Sequence, residues 1–331
     1  MRFGPVAPAE AVGAILAHSI AVPGGRLRKG RTLDVEDCKA LSTAGISEVW
    51  VARAEGHDVP EDEAAEALAR ELVPDPDAAG MRVGLPATGR VNLHATRPGV
   101  LCFDVDRIHA LNLADPGITF AVLPPVTRVA DEQLIGTIKI IPYAVSARGL
   151  RTARRAAFAS RLLVRPAEIG SVSLIETRVD GLDHGAKGAL AVQARVEALG
   201  AEMGPLRKVS HTVSDLADAI ARTEAEAILI LTGSATSDLH DVAPEAVRRA
   251  GGTVLRFGMP VDPGNLLFVG DHRGRPVVGL PGCARSPALN GADWVLDRIL
   301  TGLPCGDAEI AAMGVGGLLK ESPARGRPRE G

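Results

Sequence analysis

The sequence predicts an α/β protein with a three-layer, mostly parallel sheet on its C-terminal side, preceded by a small α/β region and a β-rich region. Three observations carry this. From Gly170 onward, short apolar runs alternate with segments of helical period, the pattern of strand–crossover–strand units. Between residues 81 and 145 the apolar runs are short and broken by Pro and Gly, as in β-rich structure. The chain has 331 residues, 46% hydrophobic and 23% charged, which suits two domains or three small ones at roughly 150 residues each. The expected divisions are 1–78, 79–168, 169–304 and a linker-like tail, 305–331.

In the first region, Ala9 to Ser19 has apolar residues at helical spacing and predicts a helix. PGGRLRKGRTL suits a turn between short strands. Asp34 is a fitting N-cap for a helix over Asp34 to Ala44, with Gly45 as its stop. Val49 to Val51 reads as a strand, and Glu61 to Leu72 as an amphipathic helix with acids in its first turn. VLCFDV, ITFAVL and IGTIKIIPYAV then read as strands around a helix near Asp104 to Asn112. Ser146 to Arg165 holds six arginines and no acid, which reads as a solvated helix face or connector, or more sharply as an anion-binding rim.

The third region reads as strand SVSLIE, helix Lys187 to Leu199, strand Glu202 to Val209, helix Val213 to Arg222, buried strand AILILT and helix Pro244 to Ala250. Strands TVLRF, LLFV and PVVGL follow, and Pro287 to Leu300 closes as a helix.

Charge and composition remove several function classes. Lys and Arg total 37 against 40 Asp and Glu, a formal charge of −3, so no global basic field draws the chain to nucleic acid. Aromatics at 3% are too few for base-stacking platforms. No apolar run approaches the roughly 20 residues of a membrane span, and the N-terminus lacks a secretory apolar segment, so a cytoplasmic protein is expected. Cys38, Cys102, Cys283 and Cys305 lie far apart, without a disulfide framework or a zinc pattern.

Ligands of open α/β sheets bind beyond the carboxyl ends of the strands. TRVDGLDHGAK at 177–187, TGSATSDLHDV at 232–242 and LPGCARS at 280–286 fall there. The second is the most informative. A buried strand runs into Thr232, Gly233 and Ser234, and a helix starts near Pro244, so N–H groups and the hydroxyls of Thr236 and Ser237 can converge on a phosphate. The bland alternative is an ordinary strand-to-helix loop. Asp238 and Asp241 in the same loop suit Mg²⁺, and one of them equally suits a helix cap.

T-G-S-A-T-S-D-L-H-D-V-A-P-E-A at 232–246 resembles the loop T-G-G-x-G-x-x-x-x-D-V-x-P-[DE]-A of the molybdopterin-binding family. Three further stretches resemble that family in order and spacing: Val213-Ser214-Asp215, the Pro263-Gly264 loop within GMPVDPGNLLF, and GLPGCARS with Pro281, Gly282 and Ser286. LRKGRTLDVEDCKALSTAGISEVWV resembles the segment that precedes this domain in the molybdenum-insertion branch. The whole chain, including GRVNLHA, is similar to the molybdopterin-binding half of alphaproteobacterial proteins in which a nucleotidyltransferase-like half follows.

The resemblance implies the molybdopterin-binding fold at the C-terminal side, a site for molybdopterin or the molybdenum cofactor, and a role in molybdenum cofactor biosynthesis. Thr232, Gly233, Ser234, Thr236, Ser237, Pro263, Gly264, Pro281, Gly282 and Ser286 would bind the cofactor, with Asp241 and Asp215 catalytic and Asp241 with Asp238 holding Mg²⁺ if the site transfers a nucleotidyl group or molybdate. It also implies a homo-oligomer and a molybdenum cofactor nucleotidyltransferase as partner. Ser234 and Thr236 stand where the family has glycines, and Cys283 and Ala284 where it has Asn and Pro. The first two restrict the loop and add hydroxyls, which weighs against adenylyl transfer or molybdate insertion more than against phosphate binding. Two other classes stay open: a non-catalytic carrier that presents cofactor to a nucleotidyltransferase, and a nucleotide pyrophosphatase or hydrolase.

Overall fold

The computed structural model describes residues 1–179 and 185–321. The described residues form two compact units, one of residues 1–96, 101–125 and 131–163, the other of residues 97–100, 126–130, 164–179 and 185–321. Among the described residues no helix is long and apolar enough to cross a membrane.

In the first unit, Arg2–Val6, Val49–Arg53 and Ile15–Leu16 form a three-stranded antiparallel sheet, beside the hairpin Ile20–Val22/Gly25–Leu27. The helix expected over 9–19 does not form. Gly13 adopts φ +77° and its N–H donates to Leu33 O, while Leu16 N donates to Arg31 O, so the stretch pairs with neighbouring chain. Its apolar residues Ala11, Ala14 and Leu16 still enter the core with Leu33 and Leu41. Helix Val35–Thr43 starts at Asp34, whose side chain accepts from Asp37 N in a reciprocal capping box, and Gly45 ends it at φ +75°. Met81–Val83, Arg90–Ala95, Leu134–Ile140 and Ile118–Val122 make a four-stranded antiparallel sheet. Helices Glu61–Leu72, Val105–Leu113 and Ala147–Phe158 belong to this unit, as does the ladder Asp58–Pro60/Ala144–Ser146.

The second unit is built on a seven-stranded sheet. Strand Ser171–Arg178 pairs in parallel with Glu202–Met203, Arg207–Ser210 and Ala227–Leu231, and the last pairs in parallel with Arg275–Leu280. All five residues of Ala227–Leu231 are fully buried, which is why this strand reads as an unbroken apolar run. The sheet is mixed: four of its six pairings are parallel, and Phe268–His272 alone is reversed, antiparallel to both Arg275–Leu280 and Thr253–Phe257. The cause is local. Arg273 and Gly274 take φ +59° and +77° between Phe268–His272 and Arg275–Leu280, a two-residue turn that makes the two strands a hairpin.

Helices Val213–Ala221 and Val242–Arg249 cover one face, burying Leu216, Ile220, Ala246 and Val247 against Ile175, Ile228 and Ile230. Residues 305–321, expected as linker, instead pack onto this unit. Helix Asp307–Ala312 buries Ile310, Leu319 is also buried, and Asp262 N donates to Gly317 O while Leu319 N donates to Asp262 O. The Ser322 to Gly331 tail lies outside the described residues.

Candidate functional site

The loop after the central strand Ala227–Leu231 is tied down at both ends. At its start, Gly233 N donates to the Thr177 hydroxyl at 2.9 Å, and that buried hydroxyl also bonds His211 Nδ1 at 2.8 Å. A Cβ on Gly233 would lie 2.7 Å from Thr177 O and 3.0 Å from Val179 N, so only glycine lets the loop leave the strand this close to its neighbour. At its end, Asp241 caps helix Val242–Arg249: Oδ1 accepts from Val242 N at 2.6 Å and Oδ2 from Ser237 N at 2.9 Å. Asp238 Oδ1 accepts from His240 N at 2.8 Å.

These bonds occupy the N–H groups of Gly233, Ser237, His240 and Val242, and Asp241 N is taken by Asp238 O. Among the described residues, the N–H groups of Ser234, Ala235 and Thr236 have no protein partner. Three consecutive unpaired donors lie at the carboxyl end of a parallel strand and ahead of a helix start, a position that suits an anion. Thr236 is buried, whereas the side chains of Ser234 and Ser237 are exposed.

The 281–286 turn reaches this loop through Arg285. Its Nη2 donates to Thr232 O at 3.0 Å, and its Nη1 donates to Glu176 Oε1 at 2.7 Å. Glu176 is 2% exposed; Lys208 Nζ approaches its Oε2 at 3.8 Å, and that oxygen has no hydrogen bond. Gly188 lets the Arg285 stem lie against the first turn of helix Lys187–Glu197, since a Cβ there would sit 3.0 Å from both Arg285 Cγ and Nη1.

A second arginine builds the turn itself. Buried Arg195 donates through Nη1 to Ala284 O at 3.0 Å, through Nη2 to Ser286 O at 2.6 Å and Ala288 O at 3.0 Å, and through Nε to Asp293 Oδ1 at 2.9 Å. Asp293 Oδ2 in turn accepts from Asn290 N at 2.9 Å in the capping box that starts helix Gly291–Leu300. That helix begins at Gly291, where a start near Pro287 was expected. Pro281 is buried, Gly282 opens a short 3-10 turn, and Ser286 Oγ accepts from Ala288 N at 3.3 Å. Burial raises the Cys283 thiol above its ordinary pKa.

Pro263 and Gly264 meet the same helix start. Gly291 N donates to Pro263 O at 2.9 Å, and Gly264, at φ +144°, lies where a Cβ would be 2.7 Å from Gly291 N. Asp215 is exposed in the first turn of helix Val213–Ala221, with its N–H donating to Thr212 Oγ1 at 3.2 Å. Much of the 177–187 segment, 180–184, lies outside the described residues.

The structure therefore ties Thr232–Ser237 to Asp241, links Thr232 to the 281–286 turn through Arg285, and sets Pro263-Gly264 against the helix that follows that turn. Asp215 has no bond to either loop among the described residues. Glu176 and Arg195 escaped the sequence reading, and Thr177 and Arg285 lie in its segments 177–187 and 280–286 without having been singled out. Arg195 had left a signal: it shares the helical stripe of Gly188, Ala191, Val192 and Val196, and an arginine on a buried stripe demands a partner. Among the described residues, no group of three or more His, Cys, Asp or Glu side chains is arranged to hold a metal on its own.

Residues 187–300 match the model of a family described as a probable molybdopterin binding domain, as the resemblance had implied. Residues 5–53 match a domain of unknown function (DUF8806). No curated protein matches the chain. Among solved structures, the molybdopterin biosynthesis MoeA protein from Pyrococcus horikosii aligns at 12% identity and TM-score 0.29, over 92% of this chain and 74% of that one. A molybdenum cofactor biosynthesis protein from Pyrococcus furiosus aligns at 13% identity and TM-score 0.25, over 92% of this chain and 66% of that one.

Proposed function

We propose, from a second unit that carries a molybdopterin-binding domain, that the 232–241 loop and the 281–286 turn bind molybdopterin or the molybdenum cofactor by its phosphate. The unpaired N–H groups of Ser234, Ala235 and Thr236 carry this reading. Unpartnered backbone donors beside a helix start favour a dianionic group without any side-chain cation. The exposed hydroxyls of Ser234 and Ser237 add donors to the same group. Arg285 holds the two segments together, and its pairing with Glu176 leaves the site little net positive charge of its own.

Magnesium fits the donor set in one way. Mg²⁺ keeps waters and takes one or two carboxylates together with substrate phosphates. Both oxygens of Asp241 already accept backbone N–H groups, whereas Asp238 is exposed and engages only Oδ1. Asp238 would hold the ion, which would neutralise phosphate charge during transfer. Asp241 would hold the shape of the loop, with Asp215 available from the neighbouring helix start.

The double engagement of Asp241 also favours a second reading, a carrier that presents cofactor to a molybdenum cofactor nucleotidyltransferase without turnover of its own. A homo-oligomer belongs to both readings and is checked by sedimentation. The deciding experiment is equilibrium binding of molybdopterin, followed by the fluorescence of its oxidised form and by mass spectrometry of bound small molecules. Retained pterin with magnesium-dependent release of a nucleotide product supports transfer. Retained pterin with nucleotide untouched supports the carrier, and failure to bind pterin at all overturns both.

A further inference from the structure

The six arginines between Ser146 and Arg165 play no part in the site above. Four of them decorate helix Ala147–Phe158 in the first unit. That helix buries Leu150, Ala153, Ala156 and Ala157 and turns Arg148, Arg151, Arg155 and Phe158 outward. Positions 148, 151, 155 and 158 lie three and four residues apart, so they form one stripe on the exposed face. The chain holds no acid from residue 133 to 167.

Among these arginines, Arg154 is paired: its Nε donates to Glu71 Oε1 at 3.0 Å. Arg148, Arg151 and Arg155 make no ion pair among the described residues. A groove of about 330 Å³ lies over the stripe, lined by Glu71, Arg151, Arg154, Arg155 and Phe158. Phe158 is 72% exposed in a chain that is only 3% aromatic. Unpaired cations and an exposed ring in one groove run against the overall charge of −3.

We propose that this groove docks an acidic segment of a partner protein, with two carboxylates on Arg151 and Arg155 and an apolar side chain on Phe158. The dimensions select an extended chain. At 1.5 Å per residue, Arg151 and Arg155 are about 6 Å apart along the helix, and Phe158 is roughly 4.5 Å further on. An occupant about 10 Å long that offers acid, acid and apolar group in line matches three or four residues of extended peptide at about 3.3 Å each. Guanidinium forks suit carboxylates, and Arg with aromatic residues is the composition of interface anchors. A membrane would need a broad apolar surface, and this helix exposes Phe158 alone among its large apolar side chains. A nucleic acid would need a longer basic track than the three unpaired arginines of this stripe, in a chain of net charge −3.

The test uses the full chain and a fluorescein-labelled peptide of Asp and Glu with one central Phe, read by anisotropy. Arg151→Ala/Arg155→Ala should weaken binding at least tenfold and flatten its salt dependence. Phe158→Ala should weaken it severalfold, and replacing the peptide's Phe by Ser should do the same. Arg26→Ala/Arg28→Ala, which removes two exposed charges in and just after the strand Gly25–Leu27, should leave it unchanged. Equal loss in that control, no loss in the Arg151/Arg155 variant, or displacement by pyrophosphate at the peptide's own concentration overturns the proposal. So does patch-dependent binding to phosphatidylserine vesicles, or a patch-dependent dimer in sedimentation.

Discussion

Arg195 and Asp293 form a buried ion pair, Nε to Oδ1 at 2.9 Å, and the remaining guanidinium nitrogens hold three backbone carbonyls of the 284–288 segment. One side chain thus joins helix Lys187–Glu197, the turn that follows the strand Arg275–Leu280 and the first turn of helix Gly291–Leu300. The turn's own backbone bonds are only Ala284 N to Pro281 O and Ser286 N to Cys283 O, and Arg285 ties its far side to Glu176 and Thr232.

Arg195→Ala should therefore cost about 3 kcal/mol or more, the scale of a buried pair broken on one side, because Asp293 Oδ1 and the carbonyls of Ala284 and Ser286 lose this donor together, while Ala288 O keeps Asn290 Nδ2. Urea unfolding measures it. Arg195→Lys should recover only part, since an ammonium cannot match the planar fork. A loss within about 0.5 kcal/mol in the alanine variant would show that the turn is held by something else.

Gly233→Ala separates the loop from the rest of the unit. The added methyl would meet backbone atoms, Thr177 O at 2.7 Å and Val179 N at 3.0 Å, which cannot swing aside as a side chain would. The loop must shift and release the Gly233–Thr177 bond. Pterin binding should fall at least tenfold while stability falls by about 1–3 kcal/mol, the range for overpacking. Unchanged pterin affinity would remove the 232–241 loop from the site.

Much of this was legible in the residues, for identifiable reasons. The buried strand, the loop and its helix start announce themselves through an apolar run, Thr-Gly-Ser and Pro244, all local signals. The Asp34 cap and the Gly45 stop are local too, and both appear. What escaped is non-local. Arg285 meets Glu176 across 109 positions and Arg195 meets Asp293 across 98, so neither pair is visible in a window. The helix expected over 9–19 failed for the same reason, because pairing with Arg31 and Leu33 overrode a helical spacing. The direction of the reversed strand has a local signal as well, Arg273-Gly274 between the apolar runs LLFV and PVVGL, which is a two-residue hairpin turn.

Asp241 and Asp238 should part company on mutation. Asp241→Asn offers one acceptor oxygen where Val242 N and Ser237 N need two, so its amide would face an N–H. A loss of about 1 kcal/mol follows, as for other N-caps. Asp238→Asn keeps an acceptor for His240 N and sits in solvent, so stability should stay within about 0.5 kcal/mol. If the site uses magnesium, the Asp238 variant should need more of it for the same turnover. Urea unfolding and a magnesium titration distinguish the two, and a stability loss confined to Asp238→Asn would reverse the roles assigned here.

Asp297 gives the second unit a pH dependence of defined sign. Its carboxylate lies 2.6 Å from Arg128 Nη2, yet it is so thoroughly buried that desolvation outweighs the guanidinium and lifts its pKa from 3.8 to about 6. The folded state thus holds the proton more tightly than the unfolded chain. The contribution to stability is fully present below about pH 4 and is lost as pH rises through about 6. Asp297→Asn removes the titration while keeping the shape, and other groups cancel in the difference between the two proteins. Relative to that variant, the wild type should lose roughly 1–3 kcal/mol between pH 4 and pH 7, at about 1.4 kcal/mol for each pKa unit. Guanidinium unfolding of both proteins across that range measures it. Parallel stability profiles would mean that Arg128 holds Asp297 ionised throughout, and a wild type that gains stability with rising pH would mean that the ion pair outweighs burial.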